Sequence, residues 1–280
     1  MRNLKNLKSA LLVAIGVYVK EMKIWFRYSS WIFTFIALPY MISGLFNGIG
    51  YAIAGDKAVE NFAKNTGISN PFLFYTLGTA LLLASEIIIS DFGNSIRSEQ
   101  LNGTFELHYL SPTPTYVIWM FHLFPHSTIM FIVLLATTIP VLVVSSVIVS
   151  LPDLLIALFI FIVGMIPLIG IAFILASLVV RFKEPWAIVN LINNLISLLS
   201  GFLYPLTIFP EWVRLVANLV PTSYVVDVLR EVFLFNRHLA LNDIRFFIFF
   251  LLVALYPSFG LTLYKRWENE ARRKGELSKY

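Results

Sequence analysis

Long apolar runs, each closed by a charged or turn-forming stretch, dominate the chain from residue 30 to residue 263. A hydrocarbon core of about 30 Å is crossed by about 20 helical residues. Six runs reach that length: Ser30 to Ala54, Pro71 to Phe92, Tyr116 to Val149, Leu154 to Val180, Ala187 to Ile208 and Ile244 to Leu263. The third is longer than a span needs, so Pro125 and Pro140 are expected to divide it into a short lead-in and a kinked membrane helix. Ahead of the first run, Leu4, Leu7, Leu11, Ile15, Tyr18, Met22 and Trp25 recur at intervals of three and four, which puts them on one helical face. Lys20, Glu21 and Lys23 directly follow the apolar stretch from Ser9 to Val19, without a small-residue cleavage site. The pattern therefore predicts an amphipathic helix lying in the membrane interface rather than a signal peptide.

Two stretches interrupt the hydrophobic pattern. Between the second and third runs, residues 97–114 read RSEQLNGTFELHYLSPTP. Thr104 is placed to cap a short helix that Pro112 stops, with Leu107 and Leu110 on its apolar side. On physical grounds alone this is equally an ordinary loop helix resting on lipid headgroups. Between the fifth and sixth runs, Pro210 and Pro221 cut residues 209–235 into pieces too short to span. Short helices dipping into the outer leaflet fit best, because irregular backbone survives at membrane depth only when packed in protein or lining a wet cavity. Thr222 or Ser223 is expected to cap the second piece, with Asp227 in its first turn and Arg230 and Arg237 towards its end.

Composition agrees with the pattern: 58% of residues are hydrophobic, 13% are charged and the mean hydropathy is +0.80. A soluble domain carries about 25% charge. The fold class expected is all-α, a polytopic membrane protein forming one domain over residues 1–280, with an interfacial helix at 1–29, a six-span bundle at 30–264 and a tail at 265–280. Lysine and arginine set the orientation. With both termini in the cytoplasm, fifteen of them lie inside, including Arg97, Arg181, Lys183 and Lys279, against Lys57, Lys64, Arg214, Arg230, Arg237 and Arg245 outside. The protein is thus expected in the cell membrane, with no nucleic-acid partner, since no basic groove or stacking aromatic pattern accompanies the net charge of +5. The absence of cysteine excludes disulfides and thiolate chemistry.

Candidate chemistry is sparse. The fifth run carries Asn190, Asn193, Asn194, Ser197, Ser200 and Tyr204 at helical spacing, a stripe that either glues helices together or walls a polar path. The second run offers Thr76, Thr79, Glu86 and Ser90; a carboxylate at the depth of Glu86 needs a partner or water. His122 and His126 are four residues apart, but no carboxylate or further histidine is near in sequence, so no metal site is expected. No Gly-Lys dipeptide and no His-Glu-x-x-His motif occur, which excludes a P-loop and a zincin-type enzyme. An ion-coupled carrier is a rival reading, although no inverted repeat supports it.

Residues 103–112, GTFELHYLSP, resemble the cytoplasmic element between the second and third spans of type-2 ABC export permeases. Residues 201–213, GFLYPLTIFPEWV, followed by LVPTSY at 219–224 and DVLR at 227–230, resemble the same family's signature between spans five and six. The Gly-Thr-x-Glu-x form after span two is most similar to daunorubicin-type drug and lipid exporters; polysaccharide or glycolipid exporters share the architecture. The resemblance implies a non-enzymatic permease, working as a homodimer in membrane lipid with two copies of a separate ATPase that binds ATP and Mg. It implies a coupling helix involving Glu99, Gly103, Thr104, Glu106, Leu107 and Leu110. It also implies an extracellular gate with Pro210, Trp212, Pro221 and Tyr224, and makes the fifth span, with Asn190, Asn193, Asn194 and Ser197, a wall of the substrate pathway; Thr79 and Glu86 join that pathway from the reading of the second run alone. The substrate expected is a hydrophobic or amphipathic drug or lipid moved outward.

Overall fold

The computed structural model describes residues 2–145, 149–181, 186–235 and 244–275. The expectations for Lys183, Arg237 and Lys279 lie outside the described residues. Among those described, the structure is helix and turn with no strand. In chain order the helices are α1 (Arg2–Arg27), α2 (Ser30–Ala54), α3 (Ala58–Thr66), α4 (Pro71–Leu101), α5 (Leu107–Leu110), α6 (Thr115–Val144), α7 (Leu151–Arg181), α8 (Trp186–Leu199), α9 (Glu211–Ala217), α10 (Pro221–Phe233) and α11 (Ile244–Lys274). Among the described residues, five stretches are long and apolar enough to cross a membrane, those built on α2, α4, α6, α7 and α11; the bent pair α9 and α10 adds a sixth when counted as one broken span.

The centre of the bundle is α4, which packs on α2, α6 and α7 and buries Leu73, Leu77, Ile88 and Ile96 almost completely. The most extensive helix pair is α7 with α11, and glycine makes it possible. A Cβ on Gly170 would fall 2.2 Å from the Tyr256 carbonyl carbon, and one on Gly260 would fall 2.2 Å from the Gly170 oxygen. Small residues at such crossings let backbones approach where lipid supplies no hydrophobic drive. By contrast α2 is mostly exposed along its length.

Three sequence expectations are corrected. Helix α6 runs unbroken through Pro125 and Pro140. Pro140 has no N–H for the Ala136 carbonyl, and the Tyr40 hydroxyl of α2 donates to that oxygen at 3.1 Å and to Thr137 O at 2.9 Å, so the freed acceptor is satisfied from outside the helix. The fifth run is helical only to Leu199. At about 1.5 Å per residue it is about 20 Å long, short of the hydrocarbon core, because Gly201 turns the chain at φ +68°. Residues 265–274 are no separate tail but the last turns of α11, where Tyr264, Glu268 and Ala271 are buried. Along α1 the expected stripe divides: Tyr18, Met22 and Trp25 pack against the bundle while Leu11 and Ile15 stay outside it. Glu21 is buried and Val17, Met22 and Trp25 are half-buried, while Leu11, Leu12, Ile15 and Val19 stay exposed. The sequence also did not announce α3, whose Phe62 packs on Phe74 and Tyr75.

Candidate functional site

At the end of the bundle expected to face the cytoplasm, called the inner end below, α4 runs to Leu101, and the chain then reverses at Gly103, whose φ of +68° suits glycine. The reversal is tied to one residue. The Glu99 carbonyl accepts from the Thr104 and Phe105 amides at 3.0 Å each. Its carboxylate accepts from the Thr104 hydroxyl and from Lys20 Nζ of α1 at 3.2 Å. Phe105 then plugs into the bundle, 3% exposed, stacked on the fully buried Trp119 of α6 at 6.3 Å. The single-turn helix α5 follows, with His108 against Trp119 at 4.9 Å and the Arg272 guanidinium 4.6 Å from the Tyr109 ring centre. Thr104 does not cap it: Glu106 occupies the N-cap position and the Thr104 side chain is committed to Glu99.

The fastening leaves an outward face. Leu101, Leu107 and Leu110 are 70%, 59% and 80% exposed, and Gly103 and Glu106 are exposed beside them. Of the six residues singled out at this element, Glu99 and Thr104 fasten it from behind, Gly103 turns it, and Glu106, Leu107 and Leu110 present it. Burial lowers the His108 imidazole below its ordinary value, and the Glu99 carboxylate, 3.6 Å from Nε2, pulls the other way. The Lys20–Glu99 pair escaped sequence reasoning because 79 positions separate its members. Phe105, an aromatic amid a polar loop, was the legible signal for the plug.

The predicted polar stripe divides between two environments. Asn193 faces α4, its amide donating to Ser90 Oγ at 2.7 Å. Ser197 lies beside the Glu86 carboxylate, though its Oγ falls short of a proper hydrogen bond. Ser200 is buried on Thr222 of α10. Asn190 and Asn194 are instead exposed on the open side of α8. Thr79 is sealed within the bundle and shares no open surface with them. His122 and His126 are buried, and the structure brings Glu21 Oε1 to 3.7 Å from His122 Nε2. No group of three potential metal ligands forms among the described residues.

At the opposite end, called the outer end below, α9 and α10 meet at 97°. Pro221 stands at the first position of α10 and Val220 is the N-cap. The expected caps act elsewhere: Thr222 bonds Ser200, and the Ser223 hydroxyl donates to Val220 O at 2.7 Å. Proline at that position needs no cap for a missing N–H and is already shaped for a helix. Asp227 consequently falls mid-helix rather than in the first turn. Arg230 is the fastener. Its two terminal nitrogens donate to the Gly201 and Phe202 carbonyls at 2.8 and 2.6 Å, and its guanidinium lies 3.8 Å above the Phe74 ring. Gly78 of α4 accommodates that turn, since a Cβ there would fall 1.8 Å from the Phe202 oxygen. Among the residues expected at a gate, Pro210 and Trp212 are exposed, whereas Pro221 and Tyr224 are buried, with the Tyr224 hydroxyl donating to Asn218 O at 2.9 Å.

A family model described as ABC-2 type transporter matches residues 15–234, from within α1 to the end of α10. No curated protein matches the chain.

Proposed function

The chain belongs to the ABC-2 type transporter family and is a multi-pass membrane permease component; from that premise we propose that it exports an amphipathic drug or lipid, driven by a separate ATPase that docks on the elbow at residues 99–110. The observation that carries the docking reading is the exposed leucine face of that elbow. Exposed apolar side chains on α2, α7 and α11 need no partner but lipid. Those at the elbow differ in depth. The 31 residues of α4 extend about 45 Å against a core of about 30 Å, so its inner end projects beyond the hydrocarbon. Leucines held rigidly in water at that point mark a protein interface. They have the central apolar character of interface hot spots, with Glu106 as polar rim.

The substrate side rests on α8. Exposed amides of Asn190 and Asn194 on an apolar helix are untenable against lipid and suit a wet path or a second copy of the chain. A homodimer along α8 would place Glu86, Asn193 and Ser197 behind that path. Exposed Trp212 and Pro210 above it would then serve as part of an outer gate, with buried Pro221 and Tyr224 as its hinge.

Co-reconstitution of the permease with an ABC ATPase subunit from the same genome tests this reading. ATP hydrolysis should be stimulated by the wild-type permease and by amphipathic substrates, and the stimulation should vanish on replacing Leu107 and Leu110 together with Asp. Stimulation that survives both substitutions would remove the docking assignment. Transport driven by an ion gradient without ATP would overturn the exporter reading itself.

A further inference from the structure

A cavity of about 470 Å³ opens at the outer end of the bundle, between α4, the turn preceding α9, α10 and the start of α11. Its size is within the range of ligand sites, about 300–1,000 Å³. Three guanidiniums, of Arg214, Arg230 and Arg245, share its lining with the Asp227 and Glu231 carboxylates, which leaves one positive charge in excess. Their roles differ. Arg245 Nη1 binds Glu231 Oε1 at 3.0 Å, so those two charges answer each other. Arg230 has both terminal nitrogens on backbone carbonyls and stands one helical turn from Asp227, which its field compensates. Arg214 is exposed on α9 and has no side-chain hydrogen bond or ion pair among the described residues. The excess charge is therefore an arginine with all its donors available.

The other side of the cavity is apolar, formed by Ile68, Phe74, Leu206 and Phe235. A planar guanidinium matches phosphate oxygens two at a time, and an apolar wall beside it accepts a glycerol or acyl segment. We propose that this cavity binds a phosphate-type anion, contacted by Arg214 and steadied by the Arg245–Glu231 pair. The site does not depend on the exporter reading, since it is complete in one chain and its occupancy needs no ATPase. Two sources carry the required chemistry, the headgroup of an anionic lipid and free phosphate.

Calorimetric titration of the full chain in a neutral detergent separates them, with dioctanoyl phosphatidate and inorganic phosphate as probes at constant ionic strength. Saturable binding is expected, weakened about tenfold or more by Arg214→Ala and only partly restored by Arg214→Lys, which keeps the charge but not the paired donors. Lys57→Ala, on the outer surface away from the cavity, should leave it unchanged. Phosphatidate binding about tenfold or more tighter than phosphate assigns a lipid source, and equal affinities assign free phosphate; either keeps the site. Arg214 is exposed, so its variants should elute and melt as the wild type does. No saturable binding of either probe, or undiminished binding by Arg214→Ala, overturns the proposal.

Discussion

The two ends of the bundle solve one structural problem in opposite ways. Each breaks a helical run at a glycine with φ +68°, Gly103 at the inner end and Gly201 at the outer end. Each fastens the break with one charged side chain, Glu99 at the inner end and Arg230 at the outer end. The outer fastener closes its turn into the protein: Gly201 and Phe202 are buried, and α4 meets the turn at Gly78 without room for a methyl group. The inner fastener sits behind its turn, so the elbow is rigid at Phe105 and open at Leu107 and Leu110. A buried junction of this kind holds geometry between helices. A braced junction with an uncovered apolar face is a rigid surface of the kind the proposed ATPase dock requires.

The largest effect is expected at the outer end. Gly78→Val drives a branched side chain into the Phe202 carbonyl and should cost about 3 kcal/mol or more, seen as loss of monodisperse protein. Arg230→Met, which orphans two buried carbonyls, should cost about 2–5 kcal/mol in the thermal unfolding of purified protein. Survival of both variants with wild-type melting would erase the contrast between the ends.

At the inner end the expectation reverses. Leu107→Asp with Leu110→Asp should change stability by no more than about 0.5 kcal/mol because both side chains are exposed. The same pair should weaken ATPase affinity by about 2 kcal/mol or more, measured as half-maximal stimulation against ATPase concentration. Glu99→Gln lies between the two, since it loosens the brace and leaves the leucines in place. A loss of about 1 kcal/mol in stability is expected, together with faster hydrogen exchange over residues 102–110.

The smallest effect is a pH dependence. The folded elbow holds the His108 imidazole below its ordinary value, so the unfolded chain binds that proton at a higher pH than the folded one does. The stability this supplies is complete above about pH 6.5 and is lost as pH falls from there through the lowered folded value. His108→Gln should flatten part of the decline in melting temperature between neutral and acid pH. An identical slope in the variant would place the sensitivity elsewhere.

Much of this architecture was legible from the sequence because membrane burial writes itself in long apolar runs, and the two interruptions stood out against them. What escaped depends on three dimensions. Helix α8 stops at Leu199 because Ser200, Gly201 and Thr222 meet there, a junction no hydropathy window contains. Hydrophobic spacing placed the α1 stripe correctly on a helix, yet it could not tell the lipid side from the protein side, both of which accept Leu and Ile. Consequently Glu21, buried near His122, was invisible as a packing residue. At the elbow, sequence alone grouped six residues by proximity. The structure divides them by direction, and Glu99 and Thr104 point inward while Leu107 and Leu110 point out.

The most direct test of the account places a photo-crosslinking residue at Leu107 or at Trp212 and illuminates the reconstituted permease with its purified ATPase. Both positions are exposed apolar sites on a turn-bounded helix, so reactivity alone does not separate them. An adduct to the ATPase from position 107 and none from position 212 is the predicted result. Equal adducts from both positions, or none from position 107 while hydrolysis is still stimulated, would contradict it.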